Sequence, residues 1–243
     1  IILYIMDIIQ SFYYSSDNVR QTEIDYTLFS NLNKTFVNKI HLFIEDSDFN
    51  LFITSDFSRH INYKKINLVK YKGQPKYPDL FRYCSNLKNT ICCICNCDIE
   101  FNIENKDTLL LQQLYNNKSI YFLTRHEYNM SCPLIANFMG SHDAFIFHSD
   151  TLKTEIELKD INYINYIQNT IGIEALLTIF FIEQLNYKIL NPCFQINLTH
   201  HHKSNVRLWK IGNKSVGYTR PTPLSKDPGI HNKYMIQPCR LDP

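Results

Sequence analysis

Four polar clusters in this chain combine residue types able to hold a cation or a phosphate, and each falls where an apolar run stops. The first follows Ile91–Cys95: five apolar residues give way to Asn96, Asp98 and Glu100 before Phe101. Two carboxylates at i, i+2 past a strand end can ligate a hard divalent cation and leave coordination positions to phosphate oxygens. Acidic residues are also ordinary turn formers. The second cluster is Gly140-Ser141-His142-Asp143, just before Ala144–Phe147, and the third is Gly172-Ile173-Glu174 at a helix start, where a carboxylate suits the dipole. The fourth is His200-x-His202-x-Ser204-x-x-Arg207. Histidines at i, i+2 on extended chain face one side. Imidazole with carboxylate suits Mn²⁺ or a similar cation, and a guanidinium can pair bidentately with a diphosphate. Singly, each cluster also has a plainer reading: a turn cap at Asp143, a first-turn helix charge at Glu174, a solvated histidine loop.

The elements that must position these groups read as alternating strands and helices. Strands are expected over Met6–Tyr14, Phe36–Glu45, Asn50–Ile53, Ile66–Tyr71, Ile91–Cys95, Ser119–Arg125, Ala144–Phe147, Tyr187–Leu190 and Ile196–Leu198. Helices are expected over Arg20–Asn33, with Ile24, Leu28 and Leu32 on one face, and over Tyr77–Leu87, Lys106–Asn116, Asp160–Ile167 and Ile173–Leu185. An acidic turn, Asp46-Ser47-Asp48, closes the second strand. Such alternation argues for βαβ units and a mostly parallel sheet, and in open α/β sheets ligands gather beyond the carboxyl ends of the strands. The domain is expected over 6–211, with a Pro-rich tail over 212–243 lying on its surface.

Bulk properties exclude more than they assign. A formal charge of +2 over 243 residues, with scattered lysines and arginines, gives no nucleic-acid footprint. No segment reaches the length of a membrane span, and the apolar start lacks a basic region and contains Asp7, unlike a signal peptide. Met6 is a candidate initiator. Four of the eight cysteines crowd 92–97, where neighbours point to opposite faces, so buried free thiols in a reducing, cytoplasmic compartment are expected. A Cys-x-Cys-x-Cys zinc site is the alternative, without a clean four-ligand spacing.

The order of the motifs resembles the GT-A nucleotide-sugar glycosyltransferases, closest to small members in giant DNA viruses and some unicellular eukaryotes. The likeness rests on Asn96-Cys97-Asp98-Ile99-Glu100-Phe101, Leu123-Thr124-Arg125 and Gly140 to Phe147. It continues in Asn191-Pro192-Cys193 and His200 to Arg207, with Arg20, Glu23 and Asn31 in the first helix, and spans roughly 6–209. It implies a single GT-A-like α/β domain and a metal-dependent glycosyltransferase using a UDP-sugar, with Mn²⁺ or Mg²⁺ and a glycan or other hydroxyl acceptor. Virion packaging or an infected host cell is implied with it. By the same resemblance the metal would be held by Asp98, Glu100 and His200. The donor diphosphate would be held by Asp98, Arg125, His202, Ser204, Arg207 and Tyr13, and Asp143 and Glu174 would be catalytic. Two departures stand out: Glu174-Ala175 replaces the usual Asp-Asn, and Gln74 stands where an arginine is usual. They favour an alternative, a catalytically inactive GT-A-like domain serving as a binding or structural module. Asp98→Ala is expected to abolish metal-dependent donor binding and leave the fold intact.

Overall fold

The structure, a computed structural model, describes residues 5–127, 142–152, 161–168, 170, 172–204 and 236–241. Arg207, Gly140, Ser141, Cys132 and most of the Pro-rich tail lie outside the described residues. Within the tail, Cys239 N–H donates to the Asn191 carbonyl at 2.9 Å.

At the centre of the molecule is the cysteine-rich strand. β4 (Ile91–Cys95) is buried along its whole length, as an apolar run without alternation requires. It runs parallel to β1 (Met6–Phe12), which in turn pairs in parallel with β2 (Val37–Ile44), and β2 with β3 (Ile66–Lys70). On its other side β4 pairs antiparallel with β8 (Ala144–His148). β8 pairs antiparallel with β6 (Ser119–Leu123), and β6 in parallel with β9 (Lys188–Leu190). The sheet order is β3-β2-β1-β4-β8-β6-β9, mostly parallel with β8 reversed.

Alternation along β4 splits the interior in two. Ile91, Cys93 and Cys95 join the core that holds Ile24, Leu28 and Leu32 of helix α1 (Asn18–Leu32). Cys92 and Ile94 face the core of helix α3 (Tyr77–Asn86) and the helix Ile173–Ile179. The described cysteines are all free, and no cysteine joins the metal-capable side-chain group found among the described residues.

Three expected elements change type. Asn50–Ile53 is no strand: Asp46–Thr54 forms helix α2, with Asp46 and Asp48 in its first turn. The acidic pair that reads as a turn sits against free N–H groups there, and Phe49 and Phe52, three apart, pack the same core. Of the helix expected over 160–167, Ile161–Ile164 forms one 3-10 turn. The helix expected over 106–116 is a 3-10 segment, Asp107–Gln112, running into one α-turn.

A second, three-stranded sheet carries the site. β5 (Ile99–Ile103) pairs antiparallel with β10 (Ile196–His200), and β10 pairs in parallel with β7 (His126–Glu127). In that register His200 lies opposite both Ile99 and Glu127. The turn leaving β4 therefore meets the end of β10.

Candidate functional site

Asp98 follows directly from that register. Its backbone carbonyl accepts from His201 N–H at 2.9 Å, so the start of β5 and the end of β10 are pinned at one point. One face of α1 supports the turn from behind. Residues 20, 23, 27 and 31 recur at helical spacing beside the apolar stripe, and all four are buried. Thr27 Oγ1 donates to the Cys97 carbonyl at 2.6 Å, Asn31 Nδ2 donates to the Ile99 carbonyl at 2.8 Å, and Asn31 Oδ1 accepts from Phe101 N–H at 3.0 Å. Asn31→Leu strands a backbone donor and a backbone acceptor, each worth about 1–3 kcal/mol when buried. The expected loss is ~2–4 kcal/mol in chemical denaturation, with the melting cooperativity retained.

Around the Asp98 side chain the charges are dense. Oδ2 lies 2.8 Å from Arg20 Nη2, 3.1 Å from His200 Nε2 and 3.8 Å from His202 Nδ1. Burial would raise this carboxyl, but His200's hydrogen bond, the adjacent His202 ring and the Arg20 charge hold it well below the usual carboxylate range. Burial would likewise lower His200, and the carboxylates of Asp98 and Glu127 reverse that and bring it to about 9. The two imidazoles stack, with centroids 5.2 Å apart and planes 6° from parallel, as their i, i+2 spacing predicts.

Arg20 fans out to three further partners. Its Nη1 reaches Glu23 Oε2 at 3.2 Å and His202 Nδ1 at 3.1 Å, and its Nε donates to Tyr13 Oη at 3.2 Å. Glu23 accepts from Ser204 N–H at 2.8 Å, from Ser204 Oγ–H at 3.0 Å and from Lys203 N–H. Tyr13, His202 and Ser204 thus converge on the Asp98 end of the site.

Glu100 does not join them. Two residues past Asp98 it lies in β5, where it accepts from Ser30 Oγ–H at 2.5 Å and lies 2.8 Å from His201 Nε2 and 3.5 Å from Lys34 Nζ. It braces the outer side of α1, with its carboxyl drawn down to about 2: burial would raise it, and the bonds from His201 and Ser30 prevail. The group whose ligand atoms lie within 4.8 Å of one another is Asp98, His200 and His202.

A second acidic end lies across the network. Arg125 Nη1 lies 2.9 Å from each oxygen of Asp143, its Nε donates to Glu127 Oε1 at 2.8 Å, and Asn96 Nδ2 donates to Asp143 Oδ1 at 3.4 Å. Burial pushes the Asp143 carboxyl up against the pull of Arg125. Glu174 belongs to the same electrostatic neighbourhood. Burial, then the charge of Asp143, pushes it up to about 8. Gly172 caps its helix at φ 84°, a left-handed conformation that L side chains rarely adopt, and so sets where Glu174 projects.

The donor set fits a divalent cation. Asp98 Oδ1 is buried and has no hydrogen-bond partner among the described residues, a costly state unless something else satisfies it. One carboxylate and two imidazoles are a donor set that can hold a divalent cation.

No protein-family model matches the chain, and no curated protein matches it. Solved structures do. S. aureus TarS 1-349 in complex with UDP-GlcNAc is 13% identical with a TM-score of 0.52, over 83% of this chain and 62% of that one. TarS 1-349 in complex with UDP is 14% identical with a TM-score of 0.52, over 80% of this chain and 60% of that one. A putative glucose-1-phosphate thymidylyltransferase from Bacillus anthracis is 10% identical with a TM-score of 0.46, over 77% of this chain and 86% of that one. The chain spans about three-fifths of the TarS fragment it matches. The TarS likeness is one of fold, and the fold of this chain is GT-A-like.

Proposed function

We propose that the chain is a glycosyltransferase that takes a sugar from a UDP-sugar to an acceptor hydroxyl, on a glycan or another carrier. The observation that carries this reading is the Asp98–His200–His202 group, with the buried Asp98 Oδ1 left without a partner, on a GT-A-like fold. Asp98, His200 and His202 would hold the cation. When bound, it supplies positive charge against the diphosphate as that group leaves. Arg20, fixed by Asp98, Glu23 and Tyr13, adds a preorganised charge at the same end. Arg207 and Ser204 are proposed on the phosphate side, Ser204 through its hold on Glu23.

At the other end the two acids divide the work. Both oxygens of Asp143 are engaged by Arg125, which suits it to orient the donor sugar. Glu174, with a carboxyl near 8, suits the base. The acceptor oxygen bonds to the anomeric carbon as the bond from that carbon to the diphosphate breaks, and the acceptor proton goes to Glu174. Mn²⁺ with UDP is expected to raise the melting temperature in a thermal-shift screen, by an amount growing with the logarithm of ligand concentration. No shift with any nucleotide or nucleotide sugar, with or without Mn²⁺, would sink the reading.

A catalytically inert binding module is the second reading, favoured by Ala175 and by Gln74, whose Nε2 donates to the Gln168 carbonyl at 3.2 Å. Release of sugar from a panel of nucleotide sugars in the presence of Mn²⁺ separates the two: turnover excludes the inert module.

A further inference from the structure

Glu127 enters the site from a two-residue strand and touches both of its ends. Its Oε2 lies 3.3 Å from His200 Nδ1, and its Oε1 accepts from Arg125 Nε at 2.8 Å. The parallel pairing of β7 with β10 places the two backbones opposite each other, Glu127 against His200. The carboxylate is therefore aimed by sheet register and not by a flexible loop. Its side chain is 37% exposed, and His200's is 10% exposed. Asp98 already meets Nε2 at 3.1 Å, so Glu127 is the second carboxylate partner of the ring. It supplies a fixed acceptor for the other ring nitrogen.

Building on the glycosyltransferase reading, we propose that Glu127 is a positioning residue: it holds His200 by Nδ1 so that Nε2 faces Asp98, and through Arg125 it sets the distance from that end to Asp143. A ring nitrogen that donates to a carboxylate leaves its partner nitrogen as the ligand atom, with its orientation fixed. Arg125 Nη1 bonds both oxygens of Asp143 and continues the chain, so His200, Glu127, Arg125 and Asp143 form one connected network. A spacing set this way would decide which donor sugars fit between the cation and Asp143.

Two variants separate the halves of the claim. Glu127→Gln keeps a carbonyl acceptor for Nδ1–H and loses the ion pair with Arg125, whereas Glu127→Ala loses both. Calorimetric titration with Mn²⁺ is expected to show Glu127→Ala weakened about 10- to 100-fold and Glu127→Gln within about threefold of the parent. In the metal-free protein, the low-field proton resonance of His200 Nδ1–H, assigned by its loss in His200→Asn, is expected to survive in Glu127→Gln and vanish in Glu127→Ala. An unchanged resonance in Glu127→Ala, or an unchanged Mn²⁺ affinity there while Asp98→Asn has lost binding, overturns the proposal. If the parent protein binds no Mn²⁺ at all, the glycosyltransferase reading fails, and the resonance alone still decides the role of Glu127.

Discussion

Asp98→Asn is expected to abolish Mn²⁺-dependent binding of UDP while the protein still folds, and Asp98→Ala to abolish it and unfold much of the protein besides. Read as a turn residue, Asp98 is removable at no structural cost. The structure corrects that: Asp98 is 4% exposed and its carboxylate faces Arg20 and His200 directly. Removing one member of a buried ion pair costs about 3–5 kcal/mol, because the partner charge stays buried without compensation. A protein of ordinary stability has only ~5–15 kcal/mol to lose. Asparagine keeps an oxygen for Arg20 and preserves the shape of the turn, so it removes the charge at a smaller structural cost than alanine. Calorimetry of UDP binding with and without Mn²⁺, beside a denaturant titration, measures both parts. Retained Mn²⁺-dependent affinity in folded Asp98→Asn would exclude Asp98 as a ligand. The depressed carboxyl also fixes the acid response. Its stabilisation is present above the unfolded-state value near 4 and disappears as pH falls toward the lower folded-state value. The parent should therefore lose more stability than Asp98→Asn on acidification.

How much of this was legible in the sequence varies with the kind of signal. The uninterrupted apolar run Ile91–Cys95 predicts a strand buried on both faces, and it is the sheet's central strand. The i, i+2 histidines predict a shared side, and their rings stack. Both are local periodicities, which survive without knowledge of the tertiary partners. Glu100 failed to join Asp98 because the chain enters β5 at Ile99, and strand direction turns its side chain to α1 and His201. That outcome depends on where the strand begins, and no residue type marks it. Arg20 and Glu23 entered the sequence reading only through family resemblance. The signal was there, in a polar row at 20, 23, 27 and 31 beside the apolar row at 24, 28 and 32. Amphipathic reasoning assigns the polar side of a helix to water, and here that side is buried under the turn and the His200–Ser204 segment. Glu127 had no local signal at all. It matters because two residues pair in parallel with the end of β10, a long-range register that sequence spacing does not contain.

Glu174→Gln is expected to remove transfer and stabilise the fold, an opposition that few other substitutions here should produce. The carboxyl is pushed up to about 8, first by burial and then by the charge of Asp143. Between the unfolded value near 4.5 and the folded value near 8, the native state holds a proton that the unfolded chain has released. Stability contributed by this group is thus full below pH 4.5 and falls as pH rises to about 8, after which it is constant. Glutamine cannot ionise and escapes that loss. The full shift corresponds to at most ~5 kcal/mol at 1.36 kcal/mol per unit, and partial solvent access reduces it to ~2 kcal/mol. For a chain of this size that is roughly 4–8 °C in melting temperature. The difference between variant and parent should therefore be near zero at pH 4.5 and reach its maximum by pH 9. Transfer should respond in the opposite sense. Because the base must be ionised, the parent rate should climb with pH toward about 8, and glutamine should lower it by about 10²- to 10⁴-fold above that pH, with a smaller ratio at lower pH where the parent base is already protonated. A melting-temperature difference that does not change with pH would mean that Glu174 is not held in its neutral form, and the base would have to be sought elsewhere. A rising rate limb that survives in Glu174→Gln would place the titrating base at Asp143, which could act only by leaving the grip of Arg125.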